Sequence, residues 1–267
     1  MNLQLNGKRA LVTGSSRGIG EAIAKTLAQE GVSVIVHGRS EERTNRVVQE
    51  IIADGGKADT AVGALNTDNG AKTVADKALS SLGGVDILVN NVGTFSFHGW
   101  MDSTIDQWVQ IYNTNVVSMV RMIQLLMPQM KELGWGRIIQ ISSSDGTQPF
   151  AEQPNYAASK AANINMTVSL AKELTGTGIT VNTVSPGSIE TAGFDEFLLK
   201  FGEAQGDRTN LEQMKVQMLK EMMGSPVNRF GTPLEVACLT TFVSSPLSGY
   251  INGANLRVDG GWTQTIN

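Results

Sequence analysis

The run Arg9-Ala-Leu-Val-Thr-Gly-Ser-Ser-Arg-Gly-Ile-Gly20 sets a short strand-forming stretch directly before three glycines spaced Gly-x-x-x-Gly-x-Gly. The residues that follow put Ile19, Ala22, Ile23 and Leu27 on one face of a helix. A glycine turn between strand and helix lets the backbone approach a pyrophosphate. The helix N-terminus adds unpaired N–H groups and a partial positive charge. Gly14, Ser16, Arg17, Gly18, Ile19 and Gly20 are therefore the expected phosphate cradle, although the spacing differs from the commoner Gly-x-G-x-x-G form.

Outward from this unit, β-branched runs alternate with longer periodic segments. Residues 9–12, 32–36, 58–62, 85–89, 137–141, 180–184 and 256–258 read as seven strands, nearly continuous in Val, Ile and Leu. Such alternation predicts an α/β protein with a Rossmann-type doubly wound parallel sheet and helices on both faces. Helix ends carry local signals. Ser40 precedes two glutamates, Thr104 with Gln107 and Thr232-Pro233-Leu234-Glu235 form capping patterns, and Gly83-Gly84 and Gly134 mark stops. Among the 267 residues no repeat, low-complexity tract or linker interrupts the pattern, so one domain over 1–267 is expected. Residues 188–230 are too long for a simple connection and read as a substrate lid.

Composition narrows the chemistry. With Cys238 the sole cysteine and His37 and His98 the only histidines, a closed zinc site is improbable, and no metal is expected. A formal net charge of −4 provides no field for nucleic acid. The N-terminus lacks the pattern of a secretory signal, which reads as cytoplasmic. The richest apolar stretch, 116–130, is broken by Arg121, Gln124 and Pro128, so no membrane span is expected.

The second strand runs into Val36-His37-Gly38-Arg39, with no acid before Glu41 to accept hydrogen bonds from ribose hydroxyls. Arg39 and Arg17 offer guanidinium groups to a 2′-phosphate instead, which favours NADP(H) over NAD(H). Further along, Tyr156 and Lys160 stand four apart on one helical face. An ammonium ~4 Å from a phenol stabilises the phenolate by about 4 kcal/mol at an effective dielectric of ~20, or ~3 pKa units, which suits acid–base work on an alcohol. Ser142, Ser143 and Ser144 end the fifth strand, where hydroxyls face the ligand crevice, and Ser143 is positioned to donate to a carbonyl oxygen. Asn115 interrupts an apolar stripe of Trp108, Ile111, Met119, Met122 and Leu126, and an amide there needs a partner.

Together these motifs resemble the short-chain dehydrogenase/reductase family over nearly the whole chain, with likeness to its 3-oxoacyl-carrier-protein reductases. The matching residues are 13–20, Asn90-Asn91-Val92-Gly93, Asn115, Ser143, Tyr156, Lys160 and Pro186-Gly187-Ser188-Ile189-Glu190-Thr191. The resemblance implies that Tyr156 is the general acid/base and that Lys160 lowers its pKa and holds the nicotinamide ribose. It implies further that Ser143, selected by its spacing to Tyr156, orients the substrate oxygen, and that Asn115 holds a relay water. Asn91 and Gly93 would line the adenosine side, and Pro186, Gly187, Ile189 and Thr191 the nicotinamide end. It also implies hydride exchange with a small-molecule carbonyl or alcohol, no metal, and a homotetramer or homodimer to which Trp262 would contribute.

Two positions depart from the family pattern. Ala64 stands near where an aspartate usually meets adenine, and Thr177 replaces the arginine that carrier-protein reductases place before Gly-Ile-Thr-Val-Asn. A free small carbonyl compound therefore ranks above a 3-oxoacyl thioester. A non-catalytic NADP-sensing protein on the same fold is the other alternative, weakened because Ser143, Tyr156, Lys160 and Asn115 are all present. Within 188–230, Phe194, Phe197, Leu198, Leu199, Phe201, Leu211, Met214, Met218 and Met222 offer an apolar wall, and the loop from Thr94 to Trp100 a second, with His98 expected at the surface.

Overall fold

The chain was analysed as a computed structural model that describes residues 1–204, 210–221 and 225–265. Seven strands, β1 (Arg9–Val12), β2 (Ser33–Gly38), β3 (Lys57–Val62), β4 (Ile87–Asn90), β5 (Gly136–Ile141), β6 (Ile179–Pro186) and β7 (Asn255–Val258), form one sheet in the order β3-β2-β1-β4-β5-β6-β7. Every pairing is parallel. Side chains alternate across this sheet into two apolar layers. Ala10, Val12, Val34, Val36, Ile87 and Val89 pack with helices α1 (Gly18–Gln29), α2 (Glu41–Ala53) and α9 (Pro233–Val243). Leu11, Ile35, Leu88 and Ile138 face α3 (Asp68–Leu82), α5 (Ser118–Leu133) and α6 (Pro154–Glu173). Burial on both faces is the reason these strands read as continuous apolar runs.

Helix ends follow their capping residues. The Ser40 hydroxyl accepts from Arg43 N, Thr104–Gln107 and Thr232–Glu235 form reciprocal capping boxes, and Gly83 and Gly134 are left-handed at φ 69° and 65°. Every strand but β1 moves by one or two residues at an end from the sequence reading, and two of these shifts have a visible cause. Val85 precedes β4 because its backbone N–H and C=O are both taken by the Gln129 side-chain amide. At the other end β2 extends to Gly38, since His37 and Gly38 continue the ladder with Ala61 and Val62.

The 188–230 stretch contains α7 (Ala192–Ala204) and α8 (Leu211–Glu221). Leu198 and Met214 are buried, Leu211 and Met218 are half-buried, and Phe194 meets Phe230 edge-on at 5.3 Å. The side chains of Phe197 and Phe201, and Met222 altogether, lie outside the described residues. Lys215 of α8 bonds Glu190 at 2.6 Å and Asp195 at 2.9 Å, which ties this unit to the end of β6. Among the described residues no helix is long and apolar enough to cross a membrane.

His37 is one of the least exposed polar residues, at 2%. Its Nδ1 accepts the Gly14 N–H at 2.9 Å, so Nε2 carries the proton and donates to Gly63 O at 3.1 Å. The imidazole thereby joins the turn after β1 to the end of β3. Burial, with the charge of Arg39, pushes its pKa down to about 4. An unfolded imidazole titrates near ~6.5, so the unfolded chain binds more protons between the two values. Stability from this group is fully present above ~6.5 and declines toward pH 4 by on the order of 3 kcal/mol. Urea unfolding of wild type and His37→Gln at pH 7.5 to 4 should show the gap between their midpoints closing as pH falls. A constant gap would contradict the assignment.

Candidate active site

The order of strands reverses between β1 and β4, and the carboxyl ends of these two strands bound the crevice. The turn from β1 to α1 is shaped by glycines at two positions in particular. Gly14 has φ 65°, and a Cβ on Gly20 would lie 2.4 Å from Gly14 O and 2.5 Å from Asn91 Nδ2. Arg17 is the N-cap of α1 in extended conformation and gives no side-chain cap. The orphan N–H groups of the first turn, Gly18, Ile19 and Gly20, are thus left for an anionic ligand. Thr191 faces Gly18 from across the crevice, with its methyl 3.6 Å from where a Gly18 Cβ would stand. This cradle fits a dinucleotide pyrophosphate.

At the end of β2, Gly38 is hemmed in by side chains: a Cβ would meet Thr44 Oγ1 at 2.7 Å and Ser16 Oγ at 2.8 Å, so a side chain there requires those hydroxyls to move. Arg39 is the next residue, is exposed, and makes no ion pair among the described residues. Arg17 instead leans toward α7, where its guanidinium lies 3.7 Å from the Glu196 carboxylate.

Four expected cofactor residues have work within the protein itself. The Asn91 amide donates to Thr13 O at 3.0 Å and Gly14 O at 3.1 Å, supporting the turn from beneath. Gly187 is required by β7, since a Cβ there would stand 2.9 Å from Asp259 Cα, and Pro186 closes β6 in register with Val258. Ile189 is buried and forms a parallel bridge with Gly231. Gly93, by contrast, is exposed beside Lys160, with its would-be Cβ 3.3 Å from Lys160 Nζ.

Tyr156 and Lys160 lie in the first two turns of α6, which starts at Pro154. Lys160 is 4% exposed, and its Nζ donates to Ile141 O at 3.0 Å and lies 5.6 Å from the Tyr156 ring centroid. The Ser142 hydroxyl donates back to Lys160 O at 2.8 Å, so the end of β5 and α6 are locked together. Ser143 is buried, and its Oγ accepts from Asp145 N at 3.2 Å. Phe95, from the 94–100 loop, packs edge-on against the Tyr156 ring at 6.2 Å and forms one wall; His98 is at the surface.

The electrostatics reverse the direction expected from the Tyr–Lys pair. Burial pushes the Tyr156 phenol well up, the Asp145 carboxylate adds to this, and the Ser143 hydroxyl opposes it. Burial lowers the Lys160 ammonium to about 8, partly offset by Asp145. Desolvation is the largest influence on both groups, while the ammonium is engaged with Ile141 O.

Asn115 lies in a π-helical turn (Asn113–Val117) between α4 (Ile105–Tyr112) and α5, a local widening that often marks functional sites. Its Oδ1 accepts from Thr94 N, and its Nδ2 donates to Thr94 O and Ser159 Oγ. Both Nδ2 protons are thus used in fastening the loop at Thr94 to α6, while Oδ1 keeps a second lone pair beyond its bond from Thr94 N. Trp262 is half-buried, with its ring 5.1 Å from that of Phe150 on the loop that follows Ser143.

One residue at this site escapes the motif reading. Asp145 sits two places after Ser143, 7% exposed, in a 3₁₀ turn (Ser144–Gly146) against α6. Its carboxylate interacts with Ser143, Lys160 and Tyr156. The signal available was an acid two places after the middle serine of the run that ends β5.

A glycine cradle at the β1–α1 turn, with a half-buried tyrosine beside a buried lysine and a serine at the end of β5, defines a nucleotide-dependent oxidoreductase of the Rossmann class. A family profile described as short chain dehydrogenase matches residues 8–199. The chain belongs to the short-chain dehydrogenase/reductase family. It is 38% identical over 267 residues to the uncharacterized oxidoreductase YvaG of Bacillus subtilis, covering 100% of both chains. It is also 38% identical over 261 residues to the 3-oxoacyl-[acyl-carrier-protein] reductase FabG of Vibrio cholerae, covering 97% of this chain and 98% of that protein. The structure of L-sorbose reductase from Gluconobacter frateurii, complexed with NADPH and L-sorbose, superposes with a TM-score of 0.94 at 31% identity over 100% of both chains.

The Gly20 contacts give a test. In Gly20→Ala the new methyl must displace Gly14 O or Asn91, an overpacking that costs about 1–3 kcal/mol. Dinucleotide affinity by fluorescence titration should fall at least about tenfold, with a lower melting temperature. Unchanged affinity would contradict the role given to this turn.

Proposed function

We propose that this chain is an NADP(H)-dependent oxidoreductase that interconverts a ketone or aldehyde and the corresponding alcohol. The observation that carries the reading is the Tyr156 phenol, held protonated by burial beside Ser143 and Lys160 and next to the glycine cradle. A protonated phenol is the form needed to donate to the oxygen of a carbonyl being reduced. When bound, the nicotinamide supplies or accepts the hydride.

The first turn of α1, from Gly18 to Gly20, would hold the pyrophosphate, and Lys160 with Tyr156 the nicotinamide ribose. Thr191 and Ile189 would border the nicotinamide. Arg39, exposed and unpaired among the described residues, would take a 2′-phosphate bidentately. NADP(H) is favoured because Gly38 stands where an acid would, hemmed in by Ser16 and Thr44. The Ser143 hydroxyl orients the substrate oxygen. Residues 188–230, clamped through Lys215, would cover the substrate as a lid. A 3-oxoacyl thioester is the second reading, favoured by the full-length similarity to FabG; Thr177 ranks it lower.

Two measurements test this reading. NADPH oxidation followed against a panel of ketones, aldehydes and hydroxyketones should detect turnover that drops about 10³-fold in Tyr156→Phe. No turnover in the wild type, or undiminished turnover in the variant, would refute the catalytic assignment. Separately, Arg39→Ala should raise the KM for NADPH about tenfold or more, the loss of a charge-assisted bidentate contact, and leave the KM for NADH nearly unchanged. An unaltered preference would overturn the cofactor assignment.

A further inference from the structure

Gly14 opens the phosphate cradle in a left-handed conformation, and the two peptide units that flank it are held by the same pair of residues. The Asn91 amide donates to the carbonyl of each, Thr13 O at 3.0 Å and Gly14 O at 3.1 Å. His37 accepts the N–H of each, Gly14 N at its ring Nδ1 at 2.9 Å and Ser15 N at its backbone carbonyl at 2.8 Å. The backbone that carries the ring is itself fixed to β1, because Ser15 Oγ accepts from His37 N at 2.9 Å and donates to Val12 O at 2.7 Å.

Three of the four bonds to these peptide units survive a change of side chain at position 37, since they involve Asn91 or the His37 backbone. The fourth does not. The Gly14 N–H needs an acceptor at the place of Nδ1, and the ring presents a lone pair there because its proton is committed on Nε2 to Gly63 O at 3.1 Å. Glycine has more backbone freedom than any other residue, so the conformation at Gly14 is defined by what bonds its peptides. Gly14 O also sets the place of α1, for a Cβ on Gly20 would stand 2.4 Å from it. A turn loosened at Gly14 lets the first-turn N–H groups of α1 lose their common focus, and an anionic ligand must then order them on binding.

We propose that His37 is a positioning residue for the dinucleotide, whose buried ring preorganises the phosphate cradle through the single bond from Gly14 N to Nδ1. This inference rests on the nicotinamide-dinucleotide part of the function proposed above. The Gly63 bond acts indirectly, by fixing the tautomer that leaves Nδ1 an acceptor.

Asparagine and glutamine separate the two halves of the ring. Oδ1 of asparagine is as many bonds from the backbone as Nδ1 and can accept from Gly14 N; Nε2 of glutamine matches the imidazole Nε2 and can donate to Gly63 O. Fluorescence titration with NADPH at pH 7.5, on protein shown to be folded by circular dichroism, should give His37→Asn an affinity within about threefold of wild type. His37→Gln and His37→Leu should bind about tenfold or more weakly, the effect of leaving one donor without its acceptor. In turnover the loss should fall on the KM for NADPH rather than on kcat. Equal weakening in His37→Asn and His37→Gln, or unweakened binding in His37→Gln, overturns the proposal. A second measurement uses wild type alone. The Gly14 amide should exchange its hydrogen slowly in the free protein and be little further protected by NADPH, and an NMR scalar coupling should cross the bond from Gly14 N to His37 Nδ1. A Gly14 amide protected only after NADPH is added shows a cradle formed by its ligand, and refutes preorganisation. Wild type that binds neither NADPH nor NADH overturns the reading of the function, whereas wild type that binds while the asparagine and glutamine variants weaken alike overturns this inference alone.

Discussion

The Asn91 amide, placed just beyond the end of β4, holds the crevice open. Its two N–H groups reach Thr13 O and Gly14 O, and its backbone N–H reaches Thr13 Oγ1. These bonds tie two neighbouring parallel strands at the point where the chain leaves them in opposite directions. Gly20 packs onto the same atoms, so the N-terminus of α1 comes within reach of the crevice only because a side chain is missing there. From the β2 side, the neutral His37 ring grips Gly14 N. The turn is thus fixed from two sides by uncharged donors and acceptors, which leaves the first-turn dipole of α1 unopposed for an anion.

A second constraint operates at the other rim. Lys160, Ser143 and Asp145 are buried with Tyr156 half-buried beside them, and desolvation moves the three ionisable groups toward their neutral forms: the phenol and the carboxyl upward, the ammonium downward. Desolvation therefore outweighs the pairwise attractions in setting the resting state of this cluster. The outcome is a site stocked with donors, a phenol and a lysine held by Ile141 O, rather than a standing phenolate. The Ser142 hydroxyl and the Ile141 carbonyl keep the lysine at a fixed depth, so the geometry of the pair is determined by β5 as much as by the helix that carries it.

The sheet was legible because both of its faces are buried, and seven apolar runs can be counted without knowing their order. Boundaries slipped where a side chain substituted for a strand neighbour, as Gln129 does for Val85. Tyr156, Lys160 and Ser143 were legible because a helix makes residues four apart neighbours and a strand end points at the crevice. Asp145 was not, since an acid in a connection acquires meaning only when the surrounding α6 excludes water from it. The π-turn that rotates Asn115 inward leaves no residue signature, because it depends on backbone bonding and not on side-chain type. The embedding of Trp262 against Phe150 joins positions more than a hundred residues apart, and nothing local announces it.

The end of β2 links these levels. Gly38 is pinched between Ser16 and Thr44, so the glycine is demanded by packing before any question of cofactor arises. On the proposed NADP(H) reading, selection at the ribose would fall to the next exposed position, Arg39. The same Ser16 that closes Gly38 belongs to the phosphate turn, and its carbonyl accepts from Arg46 of α2. Arg46 in turn pairs with Glu21 on α1 and Glu50 on α2. A substitution that loosens this charged network would therefore shift Ser16 and change the space at Gly38 without touching a ligand. Cofactor choice on this reading is a property of how α1, α2 and the turn pack together, with Arg39 as the residue through which that packing is expressed.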